Sequence, residues 1–149
     1  MSVSVQAQDF DIATEIAALT GARKDIGAVV TFTGLVRDTA GHETITDLEL
    51  EHYPGMTEYA LDMIEIKANT RWKLQASRII HRYGKLPVGA QIVLVVVAAP
   101  HRKDAFEAAE FIMDYLKSEA PFWKKEGTPG GGKWVDAQAR DLDALKRWS

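Results

Sequence analysis

Ala90-Gln91-Ile92-Val93-Leu94-Val95-Val96-Val97-Ala98-Ala99, followed by Pro100-His101-Arg102-Lys103, is the stretch on which the fold turns. An apolar, β-branched run of this length reads as a buried central strand rather than one with a wet face. Pro100 closes it. A long helix is then expected from about His101 to Ala120, stopped by Pro121. Phe111, Ile112 and Leu116 on that helix give its inner faces to the core. The apolar run from Ile92 to Pro100 is about nine residues, against roughly 20 needed to cross a bilayer. The N-terminal Met1-Ser2-Val3-Ser4-Val5-Gln6 has neither the basic nor the apolar region of a signal peptide. A soluble, cytoplasmic protein is the expectation.

Working towards the N-terminus, Leu74 to Tyr83 reads as a strand and Gly84 to Gly89 as the turn before the central run. Thr57, Ala60, Leu61, Ile64 and Ala68 form one apolar stripe at helical spacing, with Pro54 placed to open that helix. Ile45 to Tyr53 alternates Leu48, Leu50 and His52 with Asp47, Glu49 and Glu51, which implies a wet face and antiparallel neighbours. Asp38-Thr39-Ala40-Gly41-His42 reads as a mobile loop. Ala28 to Val36 is a strand with Val30, Phe32 and Val36 expected on one face. Asp11 can cap a short helix carrying Ile12, Ile16 and Leu19, with Gly21 just past its end. Beyond Pro121, Gly127-Thr128-Pro129-Gly130-Gly131-Gly132 reads as a flexible or tightly turned loop, followed by Trp134-Val135 and a polar helix. The elements interleave without a regular βαβ rhythm. An α/β (α+β) class with a mixed sheet and packed helices is predicted, as one domain over 1–149 whose tail, about 121–149, completes the site.

The 149 residues are 46% apolar and 26% charged, an ordinary globular balance, with a net charge of −3. Nothing global points to nucleic acid or an anionic membrane as partner, so any basic site must be local. Cysteine is absent, which excludes disulfides, thiolate metal sites and any thiol nucleophile in this chain. The four histidines, His42, His52, His81 and His101, lie on separate elements without ligand spacing, so no metal site is expected. His52 and His81 read as satisfied core or interface groups. The triple glycine is no phosphate loop, since no strand leads into it and no Gly-Lys-Ser/Thr follows.

Three local cationic groupings stand out against the acidic balance. Thr31-Phe32-Thr33-Gly34-Leu35-Val36-Arg37 puts a glycine inside a strand, as a bulge or a close approach requires, and ends it on an arginine; a solvated arginine is the plain alternative. Pro100-His101-Arg102-Lys103 sets cations at a helix start, where the dipole favours anions; this is either a phosphate site or a solvated first turn. Met113 and Lys117 share a helical face near an apolar border, and Phe122-Trp123-Lys124-Lys125-Glu126 follows Pro121. Lys117 is there a lysine with lowered pKa, a fixed charge for an anion, or an ordinary snorkelling side chain.

Four segments together resemble a known family: Val30-Thr31-Phe32-Thr33-Gly34-Leu35-Val36-Arg37, Leu50-Glu51-His52-Tyr53-Pro54-Gly55-Met56, Ile80-His81-Arg82-Tyr83-Gly84, and Phe111 to Lys117 continuing through Ala120-Pro121-Phe122-Trp123-Lys124-Lys125. The chain resembles the large, catalytic subunit of molybdopterin synthase over nearly its whole length. The resemblance implies an α/β hammerhead fold, a homodimer, and one small ubiquitin-like subunit at each end of a heterotetramer. The small subunit's C-terminal Gly-Gly thiocarboxylate would enter a pocket of this chain. Two sulfurs would pass in turn to cyclic pyranopterin monophosphate, forming a dithiolene, with no cofactor bound by this chain. On that resemblance Lys117 and Lys124 are the catalytic pair. Arg37, His101 and Arg102 would hold the phosphate and pterin, with Lys125 and Glu126 bordering them. Leu35 and Val36 lie in the substrate-contacting segment, the side chain of Leu35 being read as non-essential. Phe32 and Met113 are expected to form the pocket wall. The absence of cysteine agrees, because sulfur must then arrive on a partner, and both anionic reactants call for a basic pocket. Two other classes stay open: a pterin- or partner-binding module without turnover, and a phosphate-ester enzyme that needs no protein partner.

Overall fold

The computed structural model describes residues 2–40, 43–135 and 139–148. In chain order it comprises β1 (Val3–Gln6), α1 (Ile12–Thr20), β2 (Ala28–Leu35), the short β3 (Thr39–Ala40) and β4 (Glu43–Thr44), and β5 (Asp47–His52). There follow α2 (Met56–Arg71), β6 (Ala76–Arg82), β7 (Gly84–Pro87), β8 (Gln91–Ala99), α3 (Arg102–Glu119), β9 (Phe122–Thr128), β10 (Gly131–Val135), α4 (Ala139–Leu145) and a short 3₁₀ turn, Lys146–Trp148.

The apolar run is β8, and it is central. The first sheet has the order β1-β6-β8-β2, with β1 parallel to β6 and the other pairings antiparallel, so the sheet is mixed as expected. Both faces of β8 are covered. Val93, Val95, Val97 and Ala99 meet Leu61, Ile64 and Ala68 of α2 and Ala105, Ala108, Ile112 and Leu116 of α3. Leu94 and Val96 face the other way, with Ile80 and Phe10, against Ile12, Ile16 and Leu19 of α1. Asp11 caps α1 by accepting the Thr14 N–H at 2.9 Å, and Gly21 follows its end.

The second sheet, β10-β9-β5-β7, is wholly antiparallel and departs from the expected layout. The segment read as a turn from Gly84 to Gly89 is mostly strand, since β7 pairs with β5 and only Val88-Gly89 turns. The glycine-rich loop is a β-hairpin, with β9 and β10 pairing around Pro129-Gly130. Its strands carry few β-branched residues, and their pairing with β5 rather than their own propensity holds them extended. In the segment read as a mobile loop, Thr39–Ala40 pairs with Glu43–Thr44; Gly41 and His42 lie outside the described residues, as do Asp136, Ala137 and Gln138 ahead of α4.

Two local expectations are corrected. Pro54 does not open α2; Gly55 is the N-cap and Met56 the first helical residue, with Glu58 accepting the Gly55 N–H at 3.1 Å. Val36 does not share a face with Val30 and Phe32. The register of β2 on β8 slips between Gly34 and Leu35, and the resulting bulge turns Val36 into a separate cluster with Leu50 and Leu86.

The tail is tied back onto α3. The Trp148 indole N–H donates to Asp114 at 2.7 Å, Arg147 pairs with Glu110, and the Arg71 guanidinium donates to the Trp148 carbonyl at 2.7 Å. Ser118 Oγ donates to the Asp141 carbonyl at 2.9 Å, which fixes α4 beside the C-terminal turn of α3.

Candidate active site

The C-terminal end of α3 and the start of β9 meet over the first sheet, and between them lies a cavity of about 110 Å³. Lys117 from α3 and Lys124 from β9 both line it, over a floor that includes Leu48, Ile92, Val93 and Leu116. Lys117 reaches it because α3 buries Ala108, Ile112 and Leu116 on its inner face, leaving Lys117 exposed at the helix end. Lys124 reaches it through register. Phe122, Lys124 and Glu126 stand opposite His52, Leu50 and Leu48 of β5, and Leu48 lines the cavity while Leu50 is buried. Directly opposed residues share a face, so this row of β9 turns inward.

The electrostatics follow from that geometry. Burial and then the neighbouring Lys117 charge push Lys124 down to about 8, with Asp141 and Glu126 opposing the shift. An amine with this pKa exchanges its proton readily near neutral pH. Glu126 thus faces the same side as Lys124 and tempers its charge.

Phe32 and Leu35 line the same cavity and are 40% and 53% exposed. Gly34 between them has a definite reason to be glycine. A Cβ there would lie 2.9 Å from Val93 Cγ1 and 3.6 Å from Phe32 Cε1, closing the cavity from below.

The remaining predicted site residues are placed elsewhere. The Val36 side chain is 4% exposed and packs with Leu50 and Leu86, so its part is to anchor the bulge rather than touch a ligand. Met113 packs against the main core one turn before Lys117. Arg37 follows Val36 and is exposed. Lys125 belongs to the outward row of β9, opposite Glu49 and Trp134, and its Nζ lies 5.7 Å from the Trp134 ring centre. His101 and Arg102 line a different cleft, with Gly27, Pro100 and Lys103, at the other end of α3. Arg102 opens that helix and Lys117 comes fifteen residues later, about 22 Å along its axis. Within one chain these cations do not meet the lysine pair.

His81, expected as a satisfied core or interface group, is buried and hydrogen-bonded, and it also lines the lysine cavity. It stands on the inward row of β6 opposite Val93, at 4% exposure. The signal available in the sequence was its parity with Ile79. A polar ring on the buried row of a strand is the kind of placement that asks for a reason.

Comparisons with known proteins agree with the resemblance. The MoaE protein family matches residues 5–119. A "Molybdopterin synthase catalytic subunit" of Mesorhizobium japonicum is 56% identical over 149 residues, covering 99% of this chain and 92% of that protein. The solved "Molybdopterin biosynthesis MoaE protein" of Burkholderia ambifaria superposes with a TM-score of 0.85 at 50% identity, covering 99% of this chain and 97% of that one. A molybdopterin synthase chain of Staphylococcus aureus gives a TM-score of 0.84 at 32% identity, covering 91% and 98%.

Proposed function

The chain belongs to the MoaE protein family, and on that premise we propose that it is the catalytic subunit of a molybdopterin synthase. It is a sulfurtransferase that takes sulfur from the C-terminal thiocarboxylate of a small ubiquitin-like partner. The acceptor is cyclic pyranopterin monophosphate, which receives two sulfurs in turn to become a dithiolene. The observation that carries this reading is the meeting of Lys117 and Lys124 at one small, largely apolar cavity in a chain with no cysteine. Such a site cannot carry sulfur itself, but it can receive an anionic acyl donor and supply protons.

The division of labour follows from the surroundings. Lys117, exposed at the end of α3, is reached first by an incoming peptide tail. There it stabilises the charge that develops as water adds to the acyl carbon and sulfur leaves it for the pterin, releasing the tail as a carboxylate. Lys124, half-buried and titrating near 8, protonates the oxygen that leaves the pterin. Phe32 and Leu35 form the apolar wall, and the exposed Arg37, two residues beyond Leu35, is assigned to the phosphate, to which an arginine can offer paired donors. The Val36 backbone, bonded to Ala90 and Gly89, anchors the bulge ahead of Arg37, the Glu126 carboxylate favours the charged form of Lys124, and Met113 packs on the main core one turn before Lys117.

His101 and Arg102 fit the phosphate-binding part only if a second copy of the chain supplies them, because α3 holds them far from its own Lys117. The homodimer implied by the resemblance therefore forms composite sites, with the helix start of one copy serving the lysine cavity of the other.

The test mixes the purified protein with a thiocarboxylated small subunit and cyclic pyranopterin monophosphate, and follows the dithiolene product as its fluorescent oxidation derivative. Product that needs all three components is the expected result. Absence of product, with the partner shown to be loaded and bound, overturns the assignment.

A further inference from the structure

His81 is buried in β6, beneath the lysine pair, and two contacts fix its ring. Its Nδ1 lies 2.8 Å from the Arg82 carbonyl oxygen. A carbonyl only accepts, so Nδ1 carries the hydrogen and, in the neutral ring, Nε2 carries the lone pair. The Phe122 ring stacks on the imidazole at 3.7 Å between centres and 20° between planes. Phe122 stands two residues before Lys124 on the same inward row of β9, so the stack ties the imidazole to the strand that delivers that lysine.

The charged groups around it come from two other elements. Lys117 faces it from α3 and Lys124 from β9, while its neighbour across the sheet, Val93 of β8, is apolar. Burial, joined by the two lysine charges against the Arg82 hydrogen bond, pushes the imidazole down to about 3. The ring is therefore uncharged at neutral pH and cannot act there as a base.

We propose that His81 is a positioning residue for sulfur transfer: its Nε2 is the uncharged hydrogen-bond acceptor that holds the ammonium of the Lys117–Lys124 pair in the cavity. The proposal rests on the sulfurtransferase reading for its purpose, but not for its physics. A carboxylate at this position would also accept, but it would neutralise a pocket that must attract two anions, and would raise the pKa of Lys124. An imidazolium would repel the lysines. An imidazole held as the Nδ1–H tautomer orients an ammonium while leaving the positive charge for substrate.

The experiment begins with the intact wild-type protein. Long-range ¹H–¹⁵N correlation of the histidine rings is expected to show His81 with a protonated Nδ1 and a hydrogen-bonded, pyridine-type Nε2 throughout the neutral range. An Nε2–H tautomer, or an imidazolium at neutral pH, overturns the proposal whatever the enzyme's activity proves to be. Lysine ¹³Cε titrations then compare variants. His81→Phe keeps a ring for the Phe122 stack but has no acceptor; Lys124 should titrate lower, and kcat with the loaded partner should fall roughly tenfold to a hundredfold with KM for the pterin little changed. His81→Asp should move Lys124 the other way, and His81→Asn, which retains a donor and an acceptor, should recover part of kcat. A folded His81→Phe protein with the wild-type lysine titration and kcat would refute the assignment. If His81→Phe does not fold, the wild-type ring measurement and the opposite shift in His81→Asp decide.

Discussion

Thr57 and Pro121 are 64 positions apart, and the buried Thr57 hydroxyl donates to the Pro121 carbonyl at 2.9 Å while accepting the Tyr53 N–H at 2.9 Å. One side chain therefore joins the end of β5, the first turn of α2 and the corner from which β9 carries Lys124 into the cavity. Thr57→Val keeps the shape but strands both backbone groups, at a cost of about 1–3 kcal/mol. Urea unfolding should show that loss. Turnover should fall further than stability explains, because Pro121 sets the path of β9, and Thr57→Ser should restore both.

The pKa of Lys124 predicts a pH dependence. If its ammonium donates the proton, kcat/KM falls as pH rises through about 8, where burial and the Lys117 charge place the titration. Lys124→Arg keeps a charge that does not titrate in this range, so that limb should vanish along with most of the turnover. A rate that climbs through the same pH would reverse the assigned role.

Acid should unfold the protein partly through His81. Its folded pKa, about 3, lies below the ordinary value of 6.5, so the unfolded state takes up the proton first as pH falls. The contribution of His81 to stability is complete above about 6.5 and is lost towards 3, at up to about 1.4 kcal/mol per pH unit. Urea midpoints measured across this window should be flatter in His81→Phe than in the wild type.

Gly34→Ala is expected to disable the site with the chain still folded. The added Cβ would press on Val93 Cγ1 at 2.9 Å, and overpacking a stiff valine costs about 1–3 kcal/mol. Part of any relaxation goes into the cavity beneath Lys117. The measurement is KM and kcat beside a thermal melt, with KM for the pterin expected to rise several-fold.

Composite sites can be tested by mixing. Arg102→Ala and Lys117→Ala homodimers should each be nearly inactive. After the two are unfolded and refolded together, mixed dimers should carry one intact site each and restore about a quarter of the wild-type activity. No recovery, with mixed dimers shown to form, would place the phosphate group elsewhere.

The sequence by itself determined what depends on near neighbours. Asp11 and Gly21 bound α1, the stripe from Thr57 to Ala68 makes α2, and the apolar run from Ala90 makes a strand that only a central position could satisfy. Each is a matter of capping chemistry or a period within one element. The cationic character of the site was equally legible, since arginines and lysines in an acidic chain without cysteine already constrain the chemistry.

Tertiary structure alone decided which of those cations share a cavity. Nothing local in Gly84–Pro87 or Phe122–Thr128 demands a strand; β5 makes strands of both by offering its two edges. That register then turns Lys124 inward and its neighbour Lys125 outward, while the bulge after Gly34 sends Val36 into the core. The length of α3 keeps Arg102 from Lys117, and the burial beside Phe122 that makes His81 a neutral acceptor comes from a strand more than forty residues away. Period and capping are properties of a segment. Register, burial and electrostatic neighbourhood are properties of pairs brought together from distant positions, and the fold alone assigns those pairs.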